Sequence, residues 1–251
     1  MEKIETINNK FYDSLADQWW EANDHMIYFL RAESKIKLEY LINNFDNIAN
    51  LEILDIGAGG GFISIPLAKL GAKVTALDNS LESLKVLEAK AKMENIENNI
   101  SIFQADATKP YTLNKQFDLV LAFDVLEHVI NPKELIEHSL THMKTDGYFA
   151  YHTLNQSFLC WLIYLQIVPR LISKDPGNVH RHEFNIKPKK MLEWLKDLNL
   201  QTKAQIGIRA PFFQAATWDL LTKRQINTEM NFEFTKDLSL GYLGLAHLQD
   251  K

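Results

Sequence analysis

Three side chains with titrating or metal-binding chemistry stand close together in the run Asp124-Val125-Leu126-Glu127-His128-Val129-Ile130-Asn131-Pro132. Asp124, Glu127 and His128 are separated by three and four positions, which on a helical turn puts them on one face. Two carboxylates and an imidazole on one face suit a hard divalent cation. The same residue types also cap and pack a following helix, so spacing alone leaves both uses open. A second concentration is Ile53-Leu54-Asp55-Ile56-Gly57-Ala58-Gly59-Gly60-Gly61-Phe62, an apolar run ending in glycines. Glycine lets backbone approach a ligand closely, and a helical pattern starts at once with Ile63, Ile65, Leu67, Ala68 and Leu70. Asp78 closes the next apolar run, Ala72 to Leu77. It falls about 20 residues past Gly57, where an acidic side chain accepts from ribose hydroxyls. A dinucleotide fingerprint would carry its third glycine where this chain has Phe62, which disfavours a dehydrogenase.

These groups need elements that hold them. Residues 3–22 read as a helix carrying Phe11, Tyr12, Trp19 and Trp20, an aromatic set for core packing or for a lid over a site. Asp24 can cap a second helix over 25–45. Strands at 51–56, 73–78, 99–104, 117–123 and 147–154 alternate with helices at 62–70, 81–94 and 132–143. That alternation implies an α/β fold with a mainly parallel sheet covered on both faces. Ligands of such sheets bind beyond the carboxyl ends of the strands, where the strand order switches. Gly57, Asp78, Asp106 and Phe123–Asp124 all fall at or just after strand ends, so they read as one site.

Beyond residue 155 the pattern changes. Residues 158–172 (FLCWLIYLQIVPRLI) are densely apolar, too short to span a bilayer, and read as a buried helix or a membrane-surface helix. The loop 173–186 holds a turn at Asp175-Pro176-Gly177 and the cluster His180, Arg181, His182, Glu183. A helix over 187–198 follows, and strands at 201–208 and 238–247 form an antiparallel edge hairpin. The whole, 1–251, is expected to be one domain, with a helical lid at 1–48 and acceptor-side or membrane-contact insertions at 156–198 and 209–236.

Composition narrows the function classes. With 251 residues, 46% hydrophobic and 24% charged, a sizeable core is expected. A formal net charge of −5 argues against a nucleic-acid-coating surface. The single cysteine, Cys160, forms no internal disulfide and fits a reducing compartment. The charged N-terminus lacks a signal-peptide core, and a cytoplasmic protein is expected.

The glycine loop with Asp78 resembles the S-adenosylmethionine site of class I methyltransferases. In such a site the methionine tail packs on Gly57, Gly59 and Gly61, and Asp78 with Asn79 takes the ribose. Asp106-Ala107 meets the adenine amine, and Phe123 offers its carbonyl and ring. More of the chain is similar to the O-methyltransferases of ubiquinone biosynthesis, which methylate polyprenyl catechols. The matching pieces are Phe11 with Trp19-Trp20, LDIGAGGG at 54–61, LEHVINP at 126–132, and Thr153-Leu154-Asn155 with the apolar segment holding Trp161. Val168-Pro169-Arg170, HEFNIKP at 182–188 and the stretch from Leu240-Gly241-Tyr242 to His247 also match. The resemblance implies a Rossmann-like class I fold with a seven-stranded sheet, and cofactor contacts at Lys37, Gly57, Asp78 and Phe123. It also implies a divalent cation, Mg²⁺ or Zn²⁺, on Asp124, Glu127 and His128, and lipid contact through 158–172 at the inner membrane surface. The chain departs from the family at Ala58 (usually Cys), Asp124 (usually Glu), Lys37 (commonly Arg) and Asn178-Val179-His180-Arg181, and 209–236 is long.

The expected reaction is in-line displacement of the sulfonium methyl by a catechol oxygen. A phenol titrates at about 10, so little phenolate exists at neutrality. A bound cation lowers that value; otherwise His128, His180 or His182 is the general base. Two further readings stay open: a methyltransferase for another small phenol, amine or carboxylate, and a non-catalytic cofactor-binding partner in a biosynthetic complex.

Overall fold

A computed structural model describes residues 9–15, 18–23, 26–172 and 180–249. The N-terminal helix resolves into α1 (Asn9–Leu15) and α2 (Gln18–Glu21), followed by α3 (Ile27–Asn44). Residues 3–8, the proposed cap Asp24 and the turn at 175–177 lie outside the described residues. Next come β1 (Glu52–Ile56), α4 (Ser64–Lys69), β2 (Lys73–Asp78), α5 (Leu81–Met93), β3 (Ile100–Gln104) and β4 (Phe117–Phe123). They are followed by α6 (Pro132–Leu140) and β5 (Met143–Leu154). The apolar segment forms α7 (Phe158–Cys160), a π-helical stretch Trp161–Ile167, and α8 (Val168–Leu171). The chain ends with α9 (Pro188–Asp197), β6 (Leu200–Thr202), β7 (Ile206–Arg209), α10 (Ala215–Trp218), β8 (Glu233–Thr235) and β9 (Gly241–Leu248).

The strands form one sheet in the order β3-β2-β1-β4-β5-β9-β7-β8, with β6 also paired to β9. β1 to β5 run parallel, and β9 joins β5 antiparallel. Among the described residues the sheet has nine strands, more than the expected seven, for two local reasons. The strand read at 201–208 breaks into β6 and β7, and Glu233–Thr235 adds β8 at the edge. The strands read at 201–208 and 238–247 do pair antiparallel, as β6 and β7 with β9, and β9 lies between β5 and β7.

Alternation along the strands builds the two covered faces. Leu54, Ile56, Val120 and Ala122 pack with Leu135 and Ile136 of α6 and with Met191 and Leu195 of α9. Their neighbours Ile53, Leu119 and Leu121 pack on Ile36 and Leu41 of α3 and on Leu67 of α4. The chain passes outward from β1 to β3 and returns to the other side of β1 as β4. This reversal opens a crevice beyond the carboxyl ends of β1 and β4, the site of ligand binding in open α/β sheets. Among the described residues no helix is long and apolar enough to cross a membrane.

Candidate functional site

The loop after β1 is shaped by what packs on it. Gly57 has φ +72°, and a Cβ there would come within 2.8 Å of Val125. Gly59 has φ +52°, and a Cβ there would come within 2.6 Å of Trp19. Both positions need glycine, because other side chains are strained at positive φ and no room is left. Asp78, at the tip of β2, fixes this loop: its Oδ2 accepts from Gly59 N at 2.9 Å and its Oδ1 from Ser80 N at 2.8 Å. Burial lifts the Asp78 carboxyl above its ordinary value, against the pull of these amides.

Over the crevice lies a cavity of about 150 Å³. Gly57, Gly59, Asp78, Asn79, Asp106, Ala107, Phe123, Asp124 and His128 line it, so most of the residues proposed from sequence are brought together. Three behave differently from expectation. Gly61 does not line the cavity; it packs on Leu87 and Ile65. Lys37 is fully buried away from the cavity and binds Glu33 at 2.7 Å and Asp124 at 2.5 Å. Asp106 lines the cavity, but its carboxylate is engaged by the Thr108 amide at 3.0 Å, the Thr108 hydroxyl at 2.6 Å and Lys109 at 3.0 Å. What Asp106 presents there is a capped turn rather than a free acceptor.

The roof comes from the N-terminal helices. Trp19 lies across Gly59 and Gly60, with its ring 5.4 Å from Phe62. Trp20 Nε1 donates to Gly60 O at 2.9 Å. Tyr12 stacks on Trp19 at 5.8 Å and lines the cavity. Sequence flagged these aromatics; Trp19 is buried in the core, and Tyr12 and Trp19 both line the cavity.

The expected helical face of Asp124, Glu127 and His128 does not form. Asp124 has φ +55° and stands outside the short 3₁₀ turn Leu126–His128. Its Oδ1 pairs with His152 Nδ1 at 2.5 Å and its Oδ2 with Lys37. Burial opposes ionisation of Asp124, but Lys37 and His152 hold it far below the usual carboxylate range. Burial likewise opposes the Lys37 charge, yet Asp124 and Glu33 outweigh it and raise its pKa. Glu33, Asp124 and His152 have ligand atoms within 4.8 Å of one another, but the Lys37 ammonium already fills a cation's place between the two carboxylates. That set does not fit a metal.

Glu127 and His128 group instead with His180. The three ligand atoms lie within 4.8 Å, and His128 Nδ1 is buried with no hydrogen-bond partner. A carboxylate with two imidazoles fits a divalent ion such as Zn²⁺. Burial raises the Glu127 carboxyl to about 7, helped by Asp124, while the Thr153 hydroxyl donates to it at 2.8 Å. Burial, then His180, pushes the His128 imidazole down to about 3. Neutral His128 is a competent ligand but a weak base.

A second, smaller cavity of about 50 Å³ adjoins the first. Its walls include Phe11, Phe29, Leu154, Tyr164 and Phe232, and its polar groups are Glu33, Asp124, Glu127 and His180. Of the loop histidines, His180 faces this cavity and His182 does not. Tyr164 and Phe232 carried no sequence signal of a site, since an aromatic in an apolar run reads as core.

Asp55 adds a testable property. It is buried below the glycine loop and accepts from Ser64 Oγ at 2.6 Å. Burial, with Asp78 and Asp124 nearby, lifts its carboxyl from 3.8 to about 7. The fold therefore prefers the protonated form, and its contribution to stability is lost as pH rises between those two values. The slope for one such group is about 1.4 kcal/mol per pH unit. Asp55→Asn keeps an acceptor for Ser64 without the charge. Urea unfolding should show the variant gaining on the native protein from pH 4 to 7 and levelling off above about 7. A difference independent of pH would refute a protonated Asp55.

A family profile described as "Methyltransferase domain" matches residues 26–225. The chain is 30% identical over 202 residues to a ubiquinone biosynthesis O-methyltransferase of Rickettsia prowazekii, covering 78% of each protein. The counterpart of Rickettsia canadensis is 29% identical over 213 residues, covering 83% of this chain and 88% of that one. In shape, the chain is similar to magnesium protoporphyrin IX methyltransferase from Synechocystis PCC 6803 with bound SAH. That match has a TM-score of 0.66 at 17% identity and covers 96% of this chain and 97% of that one.

Proposed function

The chain belongs to the methyltransferase domain family as an S-adenosylmethionine-dependent methyltransferase, and from that premise we propose that its acceptor is a catechol-type phenol with a polyprenyl tail, as in ubiquinone synthesis. One observation carries this reading: the cavity lined by Asp78 and the glycine loop shares a wall with a second, largely apolar cavity that Glu127 also lines. The similarity to ubiquinone biosynthesis O-methyltransferases supports the oxygen acceptor and the pathway.

Bound S-adenosylmethionine supplies an electrophilic methyl group on a positively charged sulfur. The chain's own residues do the rest. Gly57 and Gly59 leave space for the methionine tail, and Asp78 accepts from the ribose hydroxyls while it holds Gly59. Phe29, Tyr164 and Phe232 wall the acceptor cavity, and the aromatic roof of Tyr12 and Trp19 excludes water. Glu127, with its pKa near neutrality, takes the phenolic proton. The Thr153 hydroxyl, donating to Glu127 Oε2, orients that carboxyl group. Where a divalent ion binds, Glu127, His128 and His180 hold it, and it would acidify the acceptor oxygen. Asp124 then belongs to the Lys37–His152 network rather than to the ligand set.

A second reading, a small amine acceptor, is favoured by Glu127, the carboxylate on the second cavity that Lys37 does not neutralise. The test is methyl transfer from labelled S-adenosylmethionine to a short-chain polyprenyl catechol and to soluble amines, with and without chelator. The catechol should be methylated faster. Equal or faster transfer to an amine would overturn the phenol assignment, and activity indifferent to chelator would remove the metal from it.

Peripheral attachment at the inner membrane surface of a cytoplasmic protein is part of this proposal. Phe158 is 71% exposed and Leu159 and Ile167 are also exposed. Val168 and Leu171, farther along the same segment, pack on Tyr28 and Leu220, and Tyr164 reaches the acceptor cavity. The segment thus connects that cavity with the surface, as a tail left in the bilayer requires. Replacing Phe158 and Leu159 by serine should release the protein from liposomes; undiminished sedimentation with them would contradict the contact.

A further inference from the structure

A sulfonium carries a charge that its demethylated product lacks, so groups that respond to that charge can discriminate between them. The methyl group must cross the wall common to the two cavities. Among the described residues three line both: Tyr12, Leu30 and Asp124. Leu30 offers no electrostatic response. Asp124 is committed elsewhere, its Oδ1 to His152 and its Oδ2 to Lys37, so its charge is compensated inside the protein. Tyr12 remains. An aromatic ring presents negative potential on its face and attracts cations.

We propose that Tyr12 is the residue that recognises the sulfonium charge, making the N-terminal helix α1 a part of the cofactor site that selects S-adenosylmethionine over S-adenosylhomocysteine. This rests on the cofactor assignment above. The ring is held firmly enough for such a role: it stacks on Trp19 at an interplanar angle of 18° and meets the His128 ring edge-on at 6.0 Å. Trp19 is in turn anchored over Gly59 and Gly60 and against Phe62. Because the charge on sulfur disappears as the methyl leaves, this contact favours binding of the donor and release of the product. It does not lower the barrier of the transfer itself.

The experiment is calorimetric titration of the full chain with both compounds and with an amino analogue bearing an ammonium in place of the sulfonium. Tyr12→Phe keeps the ring and should keep the native preference. Tyr12→Leu and Tyr12→Met, two apolar replacements of different shape, should lose about tenfold of the preference for the two cationic ligands while S-adenosylhomocysteine binds as before. Parallel weakening of all three ligands in both apolar variants, or an unchanged ratio, would overturn the role of Tyr12 and leave the cofactor assignment standing. A native protein that binds none of them would overturn both.

Discussion

Asp78→Ala should weaken S-adenosylmethionine binding at least a hundredfold. The carboxylate has two oxygens with spare acceptor capacity, so it can hold the Gly59 and Ser80 amides and still accept from ribose. Hydrogen bonds to a charged group contribute roughly 1.5–3 kcal/mol each, and two ribose hydroxyls lose theirs together. The substitution also frees the Gly59 amide, so the loop that should receive the methionine tail loses its brace. Asp78→Asn keeps one carbonyl oxygen and should fall between the two. Calorimetric titration checks the series; an alanine variant with native affinity would refute the ribose assignment.

The second large effect concerns Glu127. Glu127→Gln preserves shape and can still accept from Thr153, but it cannot take a proton. Loss of a general base typically costs about 10²–10⁴ in rate. The pH profile gives the sharper readout. Glu127 is protonated below about 7 and ionised above it, so native activity should fall as pH drops through that value. The glutamine variant should lack that limb. A variant as active as the native enzyme, or one with the limb intact, would move the base elsewhere. His128, whose pKa lies at about 3, would not produce a limb near neutrality.

Much of this arrangement was legible in the chain because it is encoded locally. The apolar runs ending at Ile56, Asp78 and Phe123 became β1, β2 and β4 with boundaries shifted by a residue at most. Convergence of Gly57, Asp78 and Phe123 followed from strand ends meeting at one edge of a parallel sheet. Where the reading departed, long-range contacts had overridden spacing. Asp124 leaves the helical face because Lys37, 87 positions away, and His152, 28 positions away, hold it in a left-handed turn. Lys37 kept the charge expected of a cofactor contact but turned it inward, since Glu33 one turn back on α3 competes for it. The edge strand β8 is three residues long, too short for any alternation to register. The residues joining the two cavities come from α1, α3 and the end of β4, and no local pattern links them.

The most direct measurement is a crystal structure of the protein with S-adenosylhomocysteine and a short-chain catechol bound together. The ribose hydroxyls should lie on Asp78, the thioether beside Tyr12, and a catechol oxygen within about 2.6–3.2 Å of Glu127. An adenosyl ligand lodged away from residues 57–59 and 78, or a catechol seated outside the cavity of Phe29, Tyr164 and Phe232, would contradict the account.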